Sequence, residues 1–198
     1  ADRIQLRNPI SSYYYNLASA KNQILPERLL EYYQPGVNGL YIPIESGQSY
    51  IGITMSNEIY YFIGDVNEAQ HAAILATIFS PKSQSSRLTR RLLEINIING
   101  EYDVAIKYIL MLEKTLFHRK WASGMRKYVH NESECRKAKW IIEKRNQYPV
   151  NDLLKATYND FLQTLQHLYH NHPENKAVSN YLLCFYLLNK EVDLFSNL

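Results

Sequence analysis

Two segments of this chain repeat one spacing of small residues, thirty-six positions apart, and that recurrence narrows the fold more than any other feature. In the first, Tyr60, Gly64, Ala69, Ala76 and Pro81 are separated by four, five, seven and five residues. In the second, Gly100 is again followed five residues later by an alanine, Ala105. A glycine supplies the positive φ that a tight helix-to-helix turn needs, and alanines on the second helix let its partner approach closely. Apolar stripes at helical spacing flank both turns. Ile51, Met55, Ile59 and Phe62 precede the first; Leu88, Leu92 and Ile95 precede the second, and Val104, Tyr108, Ile109, Leu112 and Leu116 follow it. Phe117 stands where the second unit would carry its closing proline.

This is the arrangement of a tetratricopeptide unit, and it predicts an all-α fold: a TPR-like αα-superhelix, a right-handed stack of antiparallel helix pairs. The units span about 50–83, 86–119 and 176–198 of a single domain covering 1–198. In the third, Leu182, Leu183 and Tyr186 take first-helix positions after Pro173, but Lys190 replaces the turn glycine. Further helices are expected over 11–23, 27–34, 118–129, 134–146 and 152–170. Ser133 and Asn151 suit N-caps, Pro26 a helix start and Pro149 a helix boundary. Residues 35–48 hold the strongest breakers and read as one long loop. An antiparallel bundle would account for the helices, though not for the recurring small residues. Seven glycines and seven prolines in 198 residues also favour helices over a turn-rich β-sandwich.

Seventeen tyrosines suit half-buried ridges between helices and contact surfaces alike. Cys135 and Cys184 share no metal or redox spacing. No apolar run has the length of a membrane span, and the first residues lack a signal peptide's apolar core. The chain opens without methionine and stops within an amphipathic pattern, so it reads as a soluble fragment of a larger protein.

The run from Arg90 through Asn99-Gly100-Glu101-Tyr102 to Ala105, then Leu112 through Trp121-Ala122, carries a more specific likeness. With Asn57-Glu58-Ile59-Tyr60-Tyr61, Glu68 to Ala72, Asn175-Lys176-Ala177 and Tyr186-Leu187-Leu188, it resembles the soluble C-terminal region of a family of uncharacterised bacterial multi-pass membrane proteins, a domain of unknown function. The likeness covers roughly residues 10–198. It implies a membrane-embedded portion upstream of residue 1 and a membrane-associated location, with the side of the membrane open. It brings no activity and no site residues.

Chemical motifs are sparse. His167 and His170 share a helix face, but His172 lies at or past the helix end. His130, Glu132, Glu134 and Cys135 straddle a loop and a helix start, where glutamates ordinarily complement the helix dipole. Gly36-Val37-Asn38-Gly39 lacks the Gly-Lys-Ser/Thr ending of a phosphate loop. No cofactor, metal site or catalytic residue is therefore expected. Charge segregation is the one feature above background. Residues 118–145 hold nine basic and three acidic residues, a surplus of six against three for the whole chain. Both tryptophans, Trp121 and Trp140, lie inside the stretch.

Basic residues interleaved with aromatics can grip anionic surfaces, or can form an ordinary solvated face over a tryptophan core. Arg119, Lys120, Arg126, Lys127, Arg136 and Lys137 are the candidate contacts with a partner or an anionic membrane surface. A pI near 8.7 argues against nucleic acid. The expected function is a non-catalytic protein–protein interaction or scaffold module, the soluble tail of a membrane protein that binds a protein or peptide. Tyr13 to Tyr15, Tyr32, Tyr33, Tyr60, Tyr61 and Tyr102 are candidates to line its groove. The alternative is a regulatory or accessory domain of an enzyme or transporter whose chemistry lies in the missing membrane portion.

Overall fold

A computed structural model describes residues 7–43, 50–80, 85–148 and 161–198. Pro81, Pro149, Asn151, residues 152–160 of the expected helix and residues 44–48 of the expected loop lie outside these. The described residues are all-α, with twelve α-helices that pair in chain order. The chain divides into two compact units, residues 1–48 with 149–198 and residues 49–148.

In the 49–148 unit, α3 (Tyr50–Ile63) and α4 (Val66–Phe79) form the first pair, α5 (Ser86–Asn99) and α6 (Tyr102–Glu113) the second. Their turns are built as the glycines require: Gly64 has φ +103° and Gly100 φ +78°. At Gly100 the amide of Glu101 reaches back to Asn96 O at 2.8 Å while Gly100 N reaches Ile97 O at 3.2 Å, closing the carbonyl end of α5. Asp65 caps α4 through Glu68 N (3.0 Å). Ala69, Ala72, Ala73 and Ala76 are fully buried, so the small residues do bring α4 close to its neighbours. Asn57 donates to Ala69 O at 2.6 Å across the α3–α4 contact.

Beyond α6 the expected long helices break up. Residues 118–129 form α7 (Arg119–Met125) and a 3-10 turn, Arg126–Tyr128. Residues 134–146 form α8 (Glu132–Cys135) and α9 (Lys139–Asn146). The N-cap of α8 is Asn131, whose side chain accepts from Glu134 N, and not Ser133, which lies inside the first turn. Leu93, Ile97, Ile109, Leu112, Met125 and Ile141 form the core joining α5 to α9. Burying each such side chain contributes about 1.5–3 kcal/mol before chain entropy is set against it.

The segment ending α9 straps both turns. Lys144 donates to Phe62 O (3.0 Å), a terminal carbonyl of α3. Arg145 donates to Ile98 O (2.8 Å) and Ile97 O (3.3 Å) at the end of α5. The Tyr148 hydroxyl sits 2.6 Å from Asn67 Oδ1 and 3.3 Å from Asn99 Oδ1. Cations at helix C-termini meet the negative end of the dipole and carbonyls that have no partner within the helix. Two of the nine basic residues of the charged stretch thus lie against the two turns.

In the other unit, α1 (Pro9–Lys21) and α2 (Leu25–Arg28) pack with α11 (Lys176–Asn189). The pair α10 (Phe161–Asn171) and α11 is followed by a short α12 (Val192–Ser196). The expected helix 27–34 instead starts at Leu25 and ends in a 3-10 turn, Leu29–Glu31, because Tyr32 is extended. The described part of the 35–48 loop is ordered by buried polar contacts. Asn16 donates to Gly39 O and to Gln34 Oε1, both at 2.9 Å, and Leu40 is fully buried. At the α11–α12 turn Lys190 adopts φ +62°, and Glu191 N reaches Tyr186 O at 2.9 Å. The backbone motif seen at Gly100 survives there without glycine.

Candidate functional site

A cleft of about 540 Å³ opens in the 49–148 unit, lined by α3, α5, α7 and α9. From α5, Arg87, Arg90, Arg91 and Glu94 face it; α3 contributes Glu58 and Tyr61, α7 contributes Trp121 and Met125, and α9 contributes Trp140. The α5 residues recur at the i, i+3, i+4, i+7 spacing that places them on one helix face.

Arg91 is the keystone. Its Nη2 lies 3.0 Å from Glu58 Oε2, its Nη1 lies 2.9 Å from Glu94 Oε2, and its guanidinium stacks 3.6 Å above the Tyr61 ring. Only 14% of its side chain is exposed. Arg87 and Arg90 are outer arms, 57% and 45% exposed, holding Glu58 at 3.1 Å and Glu94 at 3.2 Å. Arg90 also lies 4.4 Å over Trp121. Burial pushes the Glu58 carboxyl up, but Arg91 and Arg87 outweigh it and leave it below its ordinary value. Burial, with Glu94 adding, raises the Tyr61 hydroxyl. The cleft is a preordered cationic and aromatic surface with three arginines against two carboxylates.

The six basic residues singled out in sequence are distributed differently. Arg126 makes a two-point contact with Glu113 (2.8 and 2.7 Å), and its hydrogen bonds hold that carboxyl down to about 2. Lys137 pairs with Glu134 at 2.7 Å, Arg136 with Glu132 at 3.5 Å, and Lys127 lies 4.8 Å from the Tyr128 ring. Arg119 and Lys120 are exposed at the start of α7, immediately before Trp121. Of the groove tyrosines, Tyr61 reaches the cleft, Tyr13 and Tyr60 are buried, Tyr15 stacks on Tyr32, and Tyr102 bonds Glu132 at 2.9 Å.

His130, Glu132 and Cys135 all touch Tyr102, His130 at its ring and the other two at its hydroxyl, and each has a further partner. His130 faces Asp103 (3.3 Å), Glu132 faces Arg145, and the buried Cys135 donates to Tyr128 O (3.3 Å). His172 pairs with Glu174 at 3.3 Å. Among the described residues no three His, Cys, Asp or Glu side chains are placed to hold a metal ion.

Behind the cleft, Lys144 titrates unusually. Desolvation, with Arg91 adding, lowers its ammonium to about 8. A cation with a depressed folded-state pKa destabilises the fold below that pKa, and the penalty fades as pH rises towards the unfolded value. The stability difference between wild type and Lys144→Met should therefore move in favour of wild type between pH 8 and 10. Denaturant midpoints of both proteins across that window measure it; parallel curves would mean an ordinary, solvated lysine.

A family model matches the chain over residues 1–198. The chain belongs to the family of unknown function DUF6057. No curated protein and no solved structure shows significant similarity to it. Among the described residues no helix is long and apolar enough to cross a membrane.

Proposed function

We propose that the chain is a non-catalytic protein-interaction module, a TPR-like stack whose contact site is the arginine–tryptophan cleft. The composition of that cleft carries the reading. Trp, Tyr and Arg dominate the few interface positions that supply most binding energy, and here they converge in one cavity before any partner arrives. The cluster is already ionised and hydrogen-bonded, so little side-chain entropy remains to be lost on binding. Helices α3 and α5 are the first members of their pairs, and both line the cleft. Stacked pairs form a concave groove in this way, suited to a peptide or a partner helix. The likeness to the tails of membrane proteins supports a place beside a membrane-embedded portion.

The test is affinity capture from a detergent-solubilised lysate with wild type, Trp121→Ala and Arg90→Glu. Protein captured by wild type and lost by both variants is the expected result. Identical capture by all three would remove the cleft as the contact site.

A further inference from the structure

The connection between α6 and α7 places two large apolar residues in solvent. Leu116 is 87% exposed and Phe117 88%. The residue before them, Thr115, borders a groove of mixed apolar and polar lining. It has a volume of about 590 Å³ and includes Ile74 and Ile78 of α4, Leu92 of α5 and Met111 of α6. Ile78 and Phe79 are themselves 62% and 60% exposed. Apolar side chains this open, in sequence and at a turn, contribute nothing to the core and carry a solubility cost.

The charge that flanks them from residue 114 to 131 has one sign. From Lys114 to Asn131 the chain has five Lys and Arg residues and no Asp or Glu. The adjacent carboxylate, Glu113, is engaged by Arg126 and Ser123. Lys114, Arg119 and Lys120 are exposed on either side of the apolar pair. On the neighbouring elements, α5 begins with no acidic residue in its first turn, and the last turn of α4 has no charge. An apolar tip flanked by exposed cations matches the interface of an anionic bilayer. Its acyl boundary takes the Leu and Phe side chains, and its phosphate and carboxylate headgroups lie at the height of the collar.

We infer that the α6–α7 turn is a peripheral docking tip for an anionic lipid surface: Leu116 and Phe117 enter the interface while Lys114, Arg119 and Lys120 engage headgroups. The site is separate from the arginine–tryptophan cleft. Partitioning depends on both elements, since neither two side chains nor three cations hold a protein on a bilayer alone.

Co-sedimentation with phosphatidylcholine vesicles, with and without phosphatidylserine, tests this. Wild type should sediment with the anionic vesicles and lose binding as salt rises. Leu116→Ser/Phe117→Ser should lose it altogether. Arg119→Ala/Lys120→Ala should weaken it roughly thirtyfold, at about a factor of five per cation. These residues are exposed, so circular dichroism of the variants should match wild type, and Trp121→Ala should still bind vesicles. No sedimentation of wild type, or equal sedimentation of wild type and the serine variant, would overturn the assignment. So would a concentration-dependent oligomer of wild type that the serine variant abolishes, because a second copy would then be the occupant.

Discussion

Gly64→Ala is expected to destabilise the 49–148 unit by about 3 kcal/mol, whereas Gly100→Ala should cost only about 1 kcal/mol. Both glycines have positive φ, so any Cβ is strained at either turn. They differ in surroundings. A Cβ on Gly100 would meet nothing within 4 Å. On Gly64 it would fall 2.8 Å from Gln147 Cβ and 2.9 Å from its Oε1. The φ of +103° is also farther from the left-handed well that L-residues tolerate than the +78° of Gly100. Relief requires moving Gln147, and its Oε1 accepts a hydrogen bond from Lys144 (2.9 Å), so the strap behind α3 would loosen with it. Guanidinium midpoints of the two variants measure the contrast. Equal losses would mean that the strap does not lie against the first turn.

Arg145→Met should cost about 2–3 kcal/mol, nearly all of it polar, because methionine keeps much of the stem. The substitution strips Ile98 O of its 2.8 Å donor and Ile97 O of one donor, and releases Glu132 from a 2.6 Å ion pair. A half-buried helix-terminal carbonyl without a partner is what makes the loss exceed that of a surface ion pair. Lysine at this position should recover less than half, since one ammonium cannot reproduce a planar fork serving four oxygens. Hydrogen exchange should show faster opening at the end of α5 and at Glu101. A loss below about 0.5 kcal/mol would place Arg145 among ordinary solvated charges.

These two predictions also mark what could be read in the sequence. The paired helices over 50–79 and 86–113 were legible because Gly64, Gly100, Ala69 and Ala105 each have a local backbone or packing reason to recur. Lys190 shows the limit of that reasoning: a left-handed turn closed by two backbone bonds can hold lysine, so losing the glycine did not mean losing the turn. The Asn131 cap escaped notice because Ser133 fits the same preference two residues later, and only the position of the accepting oxygen separates them.

The cleft was less visible. Arg87, Arg90, Arg91 and Glu94 have a helix-face spacing that sequence displays, but such a face is usually solvated. What closes the cleft is Glu58, twenty-nine residues away from Arg87, and Trp140, forty-six residues beyond Glu94; tertiary packing alone brings them together. The basic surplus of residues 118–145 was real, yet Lys144 and Arg145 cap helices and Arg126 holds Glu113. Counting charges along the chain could not separate these from Arg119 and Lys120, which remain exposed.

The most direct test of the interaction reading is the affinity of the captured partner for three purified proteins, by isothermal titration. These are wild type, Trp121→Ala and Arg136→Ala/Lys137→Ala. The account predicts at least a roughly thirtyfold loss, about 2 kcal/mol, for Trp121→Ala, as befits a central aromatic anchor. It predicts less than a roughly fivefold loss for the double variant, whose charges are exposed and paired with the glutamates of α8. The reverse order, with Trp121→Ala binding as wild type, would contradict the cleft and return the contact to the basic residues between α8 and α9.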